Sequence, residues 1–214
     1  RDKATIRDTA GEFWARVAGN RPDLAGAAFV VTDPDGLVIA STLDDYRMID
    51  ELLPPGFPVV LVDRALGNAS VDTITTDNFG AIRDGVAALI RRGHRRIGLL
   101  ASVQHLTTTA ERVRGYRTAL EEHSIPWDED LVRYLESMTD PVHESAEALL
   151  DLGCTAMVAS NNVLTAKLMA AMHQGAWPRV DTEILGYRDS AHYGYVADGA
   201  EWLEEPIVEM GRLA

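Results

Sequence analysis

The chain has 214 residues, 46% apolar and 25% charged, the balance of a globular protein with one large domain or two lobes. Its formal net charge of −13 argues against a module that grips nucleic acid by itself, because phosphates need a clustered positive surface. One cysteine, Cys154, rules out an intrachain disulfide and a cysteine zinc site, and no apolar run approaches the ~18 residues that span a bilayer. The reading is a soluble protein of a reducing compartment, the cytoplasm, with no membrane partner.

In chain order, short β-branched runs alternate with helical stripes. Ala27-Ala28-Phe29-Val30-Val31 and Gly36-Leu37-Val38-Ile39-Ala40 read as buried strands, punctuated by Asp33-Pro34-Asp35-Gly36. Tyr46, Ile49, Leu52 and Leu53 share a helical face that Pro54-Pro55-Gly56 closes, and Pro58-Val59-Val60-Leu61-Val62 is a strand running into Asp63-Arg64. Asp77 caps a helix whose stripe is Phe79, Ile82, Val86, Leu89 and Ile90, and Gly93 ends it. Ile97-Gly98-Leu99-Leu100 follows as a strand, and Val113, Tyr116 and Leu120 mark a helix that stops before Pro126. Leu131 to Leu135 reads as a strand, Val142 to Leu152 as a helix ended by Gly153, and Thr155-Ala156-Met157-Val158-Ala159 as a strand. Leu164, Leu168, Ala171 and Met172 define one more helix before the strand Ile184-Leu185-Gly186-Tyr187.

This alternation predicts an α/β protein of parallel sheets covered on both faces, and the number of strands predicts two doubly wound lobes. Ligands of such folds lie beyond the carboxyl ends of strands. No Gly-x-Gly-x-x-Gly, Walker A or Gly-x-Ser-x-Gly segment occurs, and no two of the six histidines stand at i, i+4. The expectation is binding rather than catalysis, with no metal and no cofactor.

Several segments carry a resemblance. Val71-Asp72-Thr73-Ile74-Thr75-Thr76-Asp77-Asn78-Phe79-Gly80-Ala81 and Gly93-His94-Arg95-Arg96-Ile97-Gly98 are similar to the LacI family of bacterial transcription regulators. So, in order, are Pro58 to Arg64, Arg112-Val113-Arg114-Gly115-Tyr116, Ala159-Ser160-Asn161-Asn162, Ile184 to Asp189, and Glu205-Pro206 to Met210-Gly211. The resemblance implies a periplasmic-binding-protein-like fold with an effector cleft between two lobes. It implies an N-terminal lobe over 1–101, rejoined by about 194–214, and a C-terminal lobe over 102–193. It also implies a homodimer, a small effector such as a sugar or sugar acid, and operator DNA reached only through a headpiece. No helix-turn-helix segment stands before Arg1, so the likeness is to the core alone. The chain is short for the family, since a helix is expected between Val31 and Gly36 and only Thr32-Asp33-Pro34-Asp35 stands there. The alternative on the same fold is a free-standing sugar-binding protein of a transport system. A sugar-processing enzyme is a third class, and no nucleophile or acid–base pair supports it.

Seven residues are the candidate ligand contacts. Arg112 matches a family arginine that forks onto ligand oxygens, and its alternative is a surface helix arginine paired with Glu111 or another neighbour. Asn161, opening a helix, either offers its amide to a sugar edge or caps that helix; Asn162 is the better cap candidate. Phe13 and Trp14 stand at the family's aromatic pair, where a ring stacks on a sugar or anchors the core. Asp8, just before them, accepts from a ligand hydroxyl or caps a helix. Arg188 stands where the family has the first aspartate of a pair, and Asp189 is the second. An arginine there donates only, which points to an acceptor-rich or anionic group on the effector, unless Arg188 simply pairs with Asp189.

Overall fold

The computed structural model describes residues 28–33, 36–40, 47, 55–67, 69–135, 140–173, 182–188 and 200–213. The chain divides into two compact units, Arg1–Thr76 with Pro206–Ala214, and Asp77–Glu205.

The first unit holds a sheet of β1 (Ala28–Asp33), β2 (Gly36–Ala40), β3 (Val59–Val62) and β4 (Asp72–Ile74), in that order. β2, β3 and β4 run parallel, whereas β1 is antiparallel to β2. β1 is thus an antiparallel addition to an otherwise parallel sheet. Only Pro34 and Asp35 separate the two strands, and a parallel pair needs a crossover of a dozen residues or more.

The second unit is doubly wound as expected. Its sheet contains β5 (Ile97–Ala101), β6 (Val132–Tyr134), β7 (Ala156–Ala159), β8 (Glu183–Arg188) and β9 (Ala200–Glu204). The order is β6-β5-β7-β8-β9, and every pairing is parallel. All residues of β5 and β7 are buried, which is why both read as unbroken apolar runs. Successive side chains point to opposite faces. Leu99, Val158 and Leu185 join one core with Ile82, Leu89 and Tyr116; Leu100, Met157 and Ile184 join another with Leu149 and Leu168. Helices α1 (Asn78–Arg91) and α2 (Thr107–Glu122) therefore cover one face, and α3 (Val142–Asp151) and α4 (Asn162–His173) the other. A last helix, α5 (Ile207–Leu213), falls in the first unit. Among the described residues, no helix is long and apolar enough to cross a membrane.

Local chemistry sets the ends of these helices. The Asp77 side chain accepts from the Gly80 amide at 2.7 Å, and a Cβ on Gly80 would lie 2.1 Å from Asp77 Oδ2, so the cap requires glycine there. At the other end of α1, Gly93 takes φ +106° while its amide donates to Ile90 and the His94 amide to Leu89. Those are the two bonds of a Schellman stop. Ser124 ends α2 in the same way at φ +57°, with a side chain that disfavours that conformation.

The boundary between the two compact units falls between Thr76 and Asp77 and again between Glu205 and Pro206. β5 lies inside the second sheet, bonded to both β6 and β7, and β9 extends that sheet beyond β8. α1 belongs there too, because it packs on α2 at Gly115, where an added Cβ would meet Phe79 O at 2.4 Å.

Candidate functional site

Because the five strands of the second unit are parallel, their carboxyl ends lie along one edge. The chain goes from β5 to β6 on one side and then returns to β7 on the other, so the order reverses between β5 and β7. In open α/β sheets such a reversal is where ligands bind, beyond the carboxyl ends of the strands. The Ser102 amide donates to Ser160 Oγ at 3.1 Å, joining the two loops just beyond these strands.

Arg112 enters from the second turn of α2, with its side chain 7% exposed. Its Nε donates to Asn78 Oδ1 at 2.8 Å, Nη1 to the Ser160 carbonyl at 2.6 Å and Nη2 to Glu205 Oε1 at 2.7 Å. The guanidinium stands 4.2 Å from the centre of the Tyr187 ring, within range of a cation–π contact. Asn78 also donates to Glu111 Oε2 at 3.2 Å. The Arg112-Val113-Arg114-Gly115-Tyr116 segment is thus largely explained by packing. Arg112 gathers Asn78 and Glu205, Gly115 admits the backbone of α1, and Tyr116 donates to the Ile97 carbonyl at 2.7 Å. A guanidinium has five N–H groups, and these contacts take three.

Asn161, not Asn162, caps α4: its Oδ1 accepts from the Leu164 amide at 2.8 Å. Asn162 is already in the helix, and the capping oxygen must come from the residue just outside. The cap engages the Asn161 oxygen and leaves its amide group for another acceptor. Thr165 Oγ1 donates to the Asn161 carbonyl at 2.7 Å and accepts from the Tyr187 amide at 3.0 Å, linking α4 to β8. A Cβ on Gly186 would lie 2.4 Å from Thr165 Cγ2, so glycine permits this approach. At the end of β8, Arg188 is 46% exposed, and the carboxylate of Glu204 on β9 is 3.9 Å away.

Arg112, Asn161 and Arg188 therefore share the carboxyl edge of one sheet. Asp8, Phe13, Trp14 and Asp189 lie outside the described residues. Reading the sequence for ligand contacts missed Asn78, Ser160 and Glu205, which stand 34, 48 and 93 positions from Arg112. The one available signal for all three was their place inside motif segments. Among the described residues, no group of three or more His, Cys, Asp or Glu side chains could hold a metal ion.

The opposite edge of the sheet carries the other polar cluster. His94 Nδ1 lies 2.8 Å from Thr155 Oγ1 and Nε2 lies 2.7 Å from Glu183 Oε2. Arg92 bridges Glu183, at 2.6 Å, and Glu201. Arg95 donates to the Ile90 carbonyl and Arg96 to that of Leu152. The basic run thus bonds within its own unit. Nearby, burial pushes the Cys154 thiol up to about 11, so it stays protonated at neutral pH.

The chain belongs to the family of periplasmic binding proteins and the sugar-binding domain of the LacI family, whose model matches residues 29–195. It is 30% identical to the HTH-type transcriptional regulator CelR of Thermobifida fusca over 183 residues, 83% of this chain and 54% of that protein. Its fold is similar to that of a CelR–cellobiose complex, at 30% identity and TM-score 0.69, covering 84% of this chain and 56% of that one. It is also similar to the transcription regulator CcpA of Lactococcus lactis, at 26% identity and TM-score 0.73, covering 84% and 67%. The chain spans about half the length of the curated relatives it matches.

Proposed function

We propose that these residues form the effector-sensing core of a LacI-type bacterial transcription regulator. In this reading a small sugar-like or acidic metabolite binds at the carboxyl edge of the second sheet and controls operator binding by the whole protein. The observation that carries it is the meeting of Arg112, Ser160 and Asn161 beside the strand-order reversal, with Arg188 on the same carboxyl edge, in a chain belonging to this family. The cellobiose complex of a similar regulator supports a sugar as the ligand class. Arg188, 46% exposed at the carboxyl edge, supports an anionic or acceptor-rich group on it. The net charge of −13 supports a DNA grip that resides in a separate headpiece. The core would work as a homodimer in the cytoplasm, as a binding protein and not an enzyme.

The test is titration with cellobiose, ribose and matched neutral and acidic sugars, glucose against glucuronate, read by calorimetry and thermal shift. A ligand at saturation raises the midpoint by several degrees. Arg188→Ala should then weaken the acid more than its neutral counterpart. Equal losses would remove the anionic group from the proposal, and no shift with any sugar would remove the sugar effector.

A further inference from the structure

The chain leaves the second unit at two places, just before Asp77 and just after Glu205. One side chain holds both. Arg112 donates to Asn78, beside the first exit, and to Glu205, the last residue before the second. Its third bond goes to the Ser160 carbonyl, next to Asn161 on the loop after β7. A buried guanidinium fixes its acceptors in the plane of its fork, and withdrawing one of them leaves a desolvated donor behind. The three segments so joined are far apart in sequence, and their positions on this unit depend on one another through Arg112.

We infer that Arg112 is a coupling residue, through which a change at the carboxyl edge reaches both exits of the chain. The inference rests on the reading of that edge as the effector site. Two N–H groups of the fork remain beyond the three bonds. A neutral polyol oxygen meets those two and leaves both exits held. An anionic group competes with the Glu205 carboxylate for the same donors, and displacing it frees the second exit. Ligand charge then decides whether binding tightens the exits or releases one of them.

The connection is testable without any ligand, by amide hydrogen exchange on the protein and its Glu205→Ala and Arg112→Lys variants. Lysine keeps the charge and loses the fork. Glu205→Ala should speed exchange ~10-fold not only at residues 205–208 but also in the first turn of α1 and at the start of α4. Arg112→Lys should produce the same pattern, with the amides of β5 unchanged in both. Acceleration confined to the neighbourhood of residue 205, or no change with Arg112→Lys, would overturn the inference. A failed sugar titration leaves this result intact, so the two readings fail separately.

Discussion

The two edges of the second sheet use the same residue types in opposite ways. At the carboxyl edge, Arg112 is 7% exposed and its partner Glu205 23%, and every contact of the guanidinium reaches a different element. At the amino edge, Arg92 is 36% exposed, and it meets Glu183 and Glu201 at the starts of two neighbouring strands. Charges taken out of water must be matched in full, and stranding one is costly. Charges left in water are screened and exchange partners freely. The buried cluster can therefore hold segments in fixed relation, while the exposed one ties down a turn. An arginine–glutamate pair does not identify a functional site; burial and the reach of its partners do.

Substitutions that separate the edges should follow that order. Arg112→Met removes the donors to the Glu205 carboxylate and to Asn78 Oδ1, and should lower stability in urea by about 3 kcal/mol, similarly at low and high salt. A loss under about 1 kcal/mol, or one that vanishes in salt, would make the two edges equivalent. Gly115→Ala tests the packing that brings Asn78 to Arg112. The new methyl meets Phe79 O, and the cost should be about 2 kcal/mol, accompanied by faster exchange at the start of α1. Arg92→Ala should have the smallest effect, less than about 1 kcal/mol and shrinking as salt is added. A larger, salt-independent loss would show that the amino edge also holds segments rigidly.

Much of the second unit was legible in its sequence. The apolar runs of β5 and β7 announce strands buried on both faces. Asp77, Gly93 and Gly153 mark helix ends by chemistry that acts over three to five residues. β9 was not legible. Ala200-Glu201-Trp202-Leu203-Glu204 has no unbroken apolar run, because an edge strand is only partly covered. Nor was the unit boundary, since it depends on β5 being flanked by β6 and β7 rather than on any break in composition. At the candidate site, Arg112, Asn161 and Arg188 were legible as residues, but their bonding was not. Asn161 serves as the helix cap, a role that separates it from Asn162 only once the start of α4 is known.

The sequence by itself determined the α/β alternation, the glycine stops of α1 and α3 and the family, because each rests on residues near one another along the chain. Only the tertiary structure decided that Arg112 lies under cover with Asn78, Ser160 and Glu205 around it. Those partners come from three separate segments, and parallel strands bring their carboxyl ends together whatever the sequence distance between them.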